Sequence, residues 1–240
     1  MRGLNDELES LARELGVDFF GVADLTGARD FVLQQGGQQI AAFPRAVSLG
    51  IQLLDPIVDE LYRHDEPSAI YTYKGLYNSV NTSLDRAALY VAKRLQGAGH
   101  AAYPIPASQT ISDQKLEGAF SHKLAAHLAG LGWIGKSCLL ITPEIGPRVR
   151  WATVLTDASL ATGTSMENRC GTCRECIEIC PVSAFTGVSF NSAEPRVVRF
   201  RAHKCKAYTN GRLRRMGEGI CGLCVHICPH GAKGRVLRRS

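Results

Sequence analysis

Cys170-Gly171-Thr172-Cys173-Arg174-Glu175-Cys176-Ile177-Glu178-Ile179-Cys180-Pro181 is the stretch that decides the fold. It reads C-x2-C-x2-C-x3-C-P, the bacterial spacing that holds cubane [4Fe–4S] clusters. Two intervening residues let successive thiolates reach different irons of one cube, while the fourth cysteine points away toward a neighbouring cluster. Downstream, Cys205 stands alone, and Cys221, Cys224 and Cys228 form C-x2-C-x3-C before Pro229. Crossed ligation follows from that order. One cluster takes Cys170, Cys173, Cys176 and Cys228, and the other takes Cys180, Cys205, Cys221 and Cys224. Structural zinc favours paired C-x2-C knuckles instead, and disulfides are rare in cytoplasmic chains. Two [4Fe–4S] clusters are therefore expected.

The rest of the 240 residues must explain why such clusters need company. The chain is 45% hydrophobic and 21% charged, which is globular composition. Its longest apolar runs are interrupted; Ala41 to Leu54, for example, contains Pro44 and Arg45. No membrane span is expected. Met1 to Glu7 has no apolar stretch behind its positive residue, so a cytoplasmic location is expected. Charge is unevenly placed: residues 1–195 carry 16 Lys/Arg against 21 Asp/Glu, whereas residues 196–240 carry 12 against one, Glu218. Such a basic tail suits nucleic acid, an acidic redox protein, or compensation of anionic clusters.

Ahead of the cysteines the pattern is mixed. Leu4, Leu8, Leu11, Ala12 and Leu15 recur at helical spacing before Gly16, and Val17 to Ala23 reads as a strand. Ala46 to Leu53 reads as another strand, Asn78 to Gly97 as the longest helix, and Ala101 to Pro106 as extended chain. Ser121 to Ala129 is a second amphipathic helix. Leu139 to Thr142 and Val149 to Thr156 read as strands around a turn at Glu144 to Pro147. The expected class is α/β (α+β), without a regular βαβ rhythm. Ala161 to Ser165 is the natural linker, placing an α/β domain at 1–162 and the two-cluster domain at 163–240.

Gly130-Leu131-Gly132-Trp133-Ile134-Gly135-Lys136-Ser137-Cys138 is the most distinctive stretch of the first part. Three glycines in six residues let backbone approach something flat or bulky, with Lys136 as a cation at the rim. The same glycines equally suit a tight turn around a packed Trp133. GLGWIGK followed by LLIT, then VLTD at Val154 to Asp157 and the two cysteine runs, resembles epoxyqueuosine reductases. Lys204 to Thr209 resembles that family's R-C-I-S-Y segment, and Tyr71 to Asn78 its Y-x-x-G-x-D-Y-H segment. The resemblance runs from about Leu4 to His230.

It implies a cobalamin-binding domain of nitroreductase-like fold joined to a small ferredoxin-like domain, with reductive dehalogenases as more distant relatives. It implies corrin contacts at Gly132, Trp133, Ile134, Gly135, Lys136, Ser137, Cys138, Thr142, Arg148 and Arg150. Tyr71, Gly75, Tyr77 and Asn81 are implied on the opposite side, with Pro106 and Ala107 near the nucleotide tail. The family's proton donor, an aspartate in D-[ST]-x-P, falls on Leu116 here, leaving Asp113 and Glu117 as candidate catalytic acids. Its D-Y-H becomes Leu76-Tyr77-Asn78, and its C-terminal helical-repeat extension has no counterpart within these residues. These departures imply a substrate other than epoxyqueuosine in tRNA.

The expected function is thus an iron–sulfur oxidoreductase in which two clusters deliver low-potential electrons to a corrinoid. The electrons come from an external donor such as a ferredoxin or flavodoxin. A corrinoid-handling protein without an organic substrate is the alternative, as is a two-cluster electron carrier whose first domain holds FMN.

Overall fold

The computed structural model describes residues 3–231. Lys233, Arg235, Arg238 and Arg239 of the basic tail lie outside the described residues. Nine α-helices occur among those described: α1 (Leu4–Glu14), α2 (Arg29–Gly36), α3 (Gln38–Ala41), α4 (Asp55–Asp59), α5 (Pro67–Gly97), α6 (His122–Leu128), α7 (Glu175–Glu178), α8 (Ala202–Met216) and α9 (Leu223–His226). Six strands accompany them: β1 (Phe19–Asp24), β2 (Arg45–Gln52), β3 (Ala102–Ile105), β4 (Trp133–Ile134), β5 (Leu140–Ile141) and β6 (Val149–Thr156). The mixed helix-and-strand class expected from the sequence is the one observed. No described helix is long and apolar enough to cross a membrane.

A four-stranded sheet in the order β1-β2-β6-β3 organises the first compact unit, residues 1–51, 80–132 and 150–166. β1 runs antiparallel to β2, with Phe19 opposite Gly50, and β3 runs antiparallel to β6, with Ala102 opposite Thr156. Both central strands are buried nearly throughout, as strands covered on both faces must be. On α1, Leu8 and Ala12 are buried one turn apart, and Gly16 leaves the helix with φ +82°. α6 starts at Ser121, whose hydroxyl accepts from the Leu124 amide. Its Leu124 and Ala125 join Ala23, Val32, Ile40, Ile105, Phe120 and Leu155 in one core.

The second unit comprises residues 52–79, 133–149 and 167–240, so packing divides the chain differently from a single boundary near 162. Ion pairs draw the early segments to the cysteine-bearing chain. Arg148, fully buried, pairs with Asp55 at 2.9 Å and Asp59 at 2.7 Å, and Arg212, also fully buried, pairs with Asp65 at 2.6 Å. Periodicity of apolar residues does not register such pairs.

Two further expectations change in detail. The long helix begins at Pro67 rather than Asn78; proline suits a first helical turn, and Ile70, Tyr73 and Val80 continue the buried face. The glycine-rich segment is a hairpin. Trp133 and Ile134 pair with Ile141 and Leu140, the Gly135 amide bonds the Leu139 carbonyl at 2.9 Å, and Trp133 is 1% exposed. Trp133 is thus packed within a tight turn.

Gly50 has no room for a side chain, because a Cβ there would lie 2.6 Å from Cζ3 of Trp151. Gly50→Ala should lower stability by about 2 kcal/mol in urea titration, as overpacking in a sheet core does.

Candidate functional site

Eight cysteines of the second unit line two separate cavities. Cys170, Cys173, Cys176 and Cys228 line the first, with Lys136, Ser137, Ile141, Glu175, Pro229 and His230. Cys180, Cys205, Cys221 and Cys224 line the second, with Phe185, Tyr208, Ile220 and Leu223 among its apolar walls. The first is tight, about 20 Å³, and the second roomier, about 220 Å³. Among the described residues no group of three His, Cys, Asp or Glu side chains is placed to hold a single metal ion.

Local chemistry shapes the first cavity. The Asn168 side chain accepts from the Cys170 amide at 2.8 Å, an Asx turn that aims the first thiol, and its amide nitrogen donates to the Ile134 carbonyl at 3.3 Å. The Lys136 ammonium donates to the Gly171 carbonyl at 2.7 Å and the Cys173 carbonyl at 3.0 Å. Gly171 takes φ +49° between these anchors. A Cβ on Gly135 would stand 2.8 Å from Ile141 and 3.3 Å from the Cys170 sulfur, so glycine is what admits the cysteine loop. His230 packs edge-on against Trp133, ring centres 4.9 Å apart.

The second cavity is keyed by Arg212. Seven residues after Cys205, it shares that cysteine's face of α8. Its guanidinium donates to the Ile220 carbonyl at 2.9 Å, to Asp65 and to the His64 carbonyl, and lies over the Tyr208 ring. The loop entering Cys221 is thereby fixed. The Ala184 amide points at the Cys180 sulfur, 3.3 Å away. Gly222 has φ +86°, and a Cβ there would strike Leu61 and Tyr73 at 2.8 Å.

Five of these thiols resist ionisation. Burial, then the neighbouring Cys228, Cys170 and Cys173, pushes Cys176 up to about 12. Burial, then Cys221 and Cys180, pushes Cys205 up to about 11. Cys221, Cys224 and Cys228 are raised as well, burial being the largest cause in each. Four soft sulfur donors lining one partly buried cavity are a donor set suited to iron.

The expected corrin contacts are divided between the units. Asn81, Pro106, Ala107, Gly132 and Arg150 belong to the first; Tyr71, Gly75, Tyr77, Trp133 to Cys138, Thr142 and Arg148 belong to the second. Several of them have other duties. Arg148 is buried on Asp55 and Asp59. Thr142 is fully buried, its hydroxyl bonded to the Gly146 carbonyl and Ile145 amide. Lys136 holds the cysteine loop, and Cys138 is buried in the hairpin turn with φ +54°. Gly132, Trp133, Ile134, Gly135 and Ser137 are buried too. Tyr71 is half exposed, its hydroxyl donating to the Met216 carbonyl, and Gly75 faces open space.

In the first unit a cleft of about 510 Å³ runs along residues 103–111 and 118–122, past Pro106, Ala107 and His122. Beside it the Arg150 guanidinium donates to Asn81 at 3.1 Å and to the Ala107 carbonyl at 3.4 Å. Asp85 accepts from the Ala107 amide at 2.7 Å. His122, which sequence reasoning passed over, donates from Nε2 to the Pro106 carbonyl at 3.0 Å and accepts from the Thr153 hydroxyl at Nδ1, 2.8 Å away. Burial, opposed by the Pro106 bond and helped by Arg150 and Lys123, pushes its pKa down to about 4. Neither candidate acid lines the cleft: Asp113 sits exposed on the adjoining turn, and Glu117 pairs with Lys115 at 3.6 Å.

Residues 169–232 match the 4Fe-4S double cluster binding domain. The chain is 34% identical over 116 residues to an epoxyqueuosine reductase of Atelocyanobacterium thalassa and 37% identical over 124 residues to that of Gloeobacter violaceus. Each match covers 47% of this chain, but only 38% and 36% of the relative. The chain thus spans little more than a third of these relatives. A catabolic reductive dehalogenase structure superposes with TM-score 0.69 at 21% identity, over 97% of this chain and 33% of that one. The epoxyqueuosine reductase of Streptococcus thermophilus superposes with TM-score 0.56 at 16% identity, over 94% and 65%. The fold is shared with both kinds of enzyme.

Three outcomes follow from these contacts. Arg148→Ala should cost about 3 kcal/mol in chemical denaturation, because two acids lose a buried cation. Lys136→Met should shorten the retention of iron bound by the first cysteine quartet under chelator challenge. His122 is neutral when folded and protonates when unfolded, so it contributes stability above pH 6.5 that is lost as pH falls toward 4. His122→Gln should flatten the decline of the melting temperature across that window.

Proposed function

We propose that this chain, similar over nearly half its length to epoxyqueuosine reductases, is a cobalamin-dependent iron–sulfur reductase. The observation that carries the reading is the sorting of eight thiols into two cavities of four. The quartet of Cys170, Cys173, Cys176 and Cys228 holds one [4Fe–4S] cluster, and that of Cys180, Cys205, Cys221 and Cys224 the other. Lys136 and Arg212 hold the loops by their carbonyls, leaving the thiols to the metal.

A solved reductive dehalogenase sharing this fold is described in terms of B12-dependent dehalogenation. Cobalamin, when bound, supplies a cobalt centre for reductive chemistry, and positioning it is the protein's task. The 510 Å³ cleft is too small for a whole corrinoid and suits its nucleotide tail. Asn81 and Arg150 offer an amide and a guanidinium at its edge, groups that bind side-chain amides and phosphate. His122 keeps the Pro106 carbonyl in place and has both ring nitrogens engaged, so it shapes the cleft without moving a proton.

The related reductases are named for epoxyqueuosine, and one solved example carries an epoxyqueuosine-modified tRNA stem loop. Reduction of that nucleoside is one substrate reading. A second, reduction or transfer of a corrinoid without an organic substrate, is favoured by Leu116 standing at the expected acid position and by both nearby acids lying off the cleft.

Anaerobic reconstitution should give about eight iron and eight sulfide per chain, and Cys228→Ala about half of each. Unchanged iron in Cys228→Ala overturns the ligand assignment. Added cobalamin should stay with the protein through gel filtration with corrin absorption bands. Co-purified flavin bands and no retained corrin overturn the cobalamin reading. Turnover of epoxyqueuosine stem-loop RNA supports the first substrate reading; reduction of cobalamin with no RNA product supports the second.

A further inference from the structure

Electrons for two clusters come from outside the chain, and one surface of the second unit is built to receive their carrier. We propose that the exposed basic face of α8 docks an acidic one-electron carrier protein, which reduces the cluster of the second cavity. The proposal rests on the cluster reading above.

α8 has two faces of opposite character. Cys205, Tyr208 and Arg212 turn inward around the second cavity. Lys206 and Arg214 are exposed on the opposite side of the helix, Lys204 and Arg215 are exposed at the margin of the inward side, and Arg201 is exposed at its start. Lys204, Lys206 and Arg214 form no ion pair among the described residues. Helix stability accounts for Arg214 and Arg215, which lie in the last turn, but not for Lys204, because cations are unfavourable in a first turn and α8 has no acid in its own. Compensation of cluster charge is a weak account as well, because side chains reaching into water are screened. Outward cations concentrated on the helix that carries a cavity-lining cysteine are what long-range attraction of an acidic partner requires.

The surface also discriminates between classes of acidic partner. Leu213 is 51% exposed on the same helix, and Val197 and Val198 are 67% and 38% exposed shortly before it. Aliphatic groups ringed by charge form the centre of a protein interface. Single-stranded nucleic acid is instead gripped by stacking on aromatic rings, and the one tyrosine of α8 faces the cavity. Docking here also places the carrier's centre beside the second quartet.

The electron step is simple. One electron leaves the reduced [2Fe–2S] centre of the carrier and enters the oxidised [4Fe–4S] cluster, with no bond or proton exchanged. The test uses the reconstituted full chain and a reduced acidic [2Fe–2S] ferredoxin, following cluster reduction by stopped-flow absorbance and freeze-quench electron paramagnetic resonance. Replacing Lys204, Lys206 and Arg214 together by Gln should slow reduction at least about tenfold at low ionic strength. Added salt should slow the unmodified chain toward the same rate. Reduction by dithionite and iron content should not change. Should the triple variant fold poorly, Arg214→Gln alone keeps the test, with a smaller loss and the same salt dependence.

Equal ferredoxin rates in variant and unmodified chains overturn the docking surface, as does failure of ferredoxin to reduce the unmodified chain. Loss of a tRNA mobility shift in the variant, with its ferredoxin rate intact, assigns the face to nucleic acid instead. A chain that takes up no clusters overturns both this proposal and the function it rests on, whereas loaded clusters with unaltered rates overturn only the docking.

Discussion

Thiols brought together in a dry cavity repel as anions, and the second unit is organised around that constraint. Cys176 and Cys205 are pushed to about 12 and about 11 by burial and then by the other cysteines of their own cavities. The fold must therefore be held by groups other than the cysteines. Arg212, Lys136 and Asn168 do so by gripping carbonyls and amides of the cysteine loops. Arg148 anchors Asp55 and Asp59 while lying against Gly231, just past Cys228. A scaffold of this kind shapes the cavity first and leaves charge neutralisation to the metal.

The glycine-rich hairpin takes a different meaning in this light. Its glycines admit Ile141 and the first cysteine rather than lying open, and its lysine caps loop carbonyls. Within its own unit this hairpin walls the first thiol cavity. The open groups lie elsewhere. Around the cleft of the first unit, hydrogen bonds among Asn81, Arg150, Ala107, Asp85 and His122 fix the backbone.

Periodic apolar patterns were legible wherever an element buries one clear face. α1, β1, β2, α6 and β6 fall close to the positions read from Leu8, Val22, Val47, Leu124 and Val154. The start of α5 was not legible, because Tyr71, Thr72 and Gly75 interrupt the apolar stripe. Nor was the companionship of residues 52–79 with the cysteine segment, which depends on pairs such as Arg212 with Asp65, 147 residues apart. At the site, the cysteine spacing carries its own chemistry and was legible outright. Asn168, two residues ahead of Cys170, offered an Asx-turn signal; Arg212 offered its spacing from Cys205. His122 gave no such sign, since its importance comes from Pro106 and Thr153, distant in sequence.

The chain passes between its two compact units at residues 51/52, 79/80, 132/133, 149/150 and 166/167. On the ribosome, therefore, the first unit has all its residues once 166 is made, whereas the segment 52–79 of the second waits for cysteines made long afterwards. Iron delivered early would meet three thiols of a quartet whose fourth member is still untranslated. Loading of that quartet belongs after Cys228 has cleared the exit tunnel.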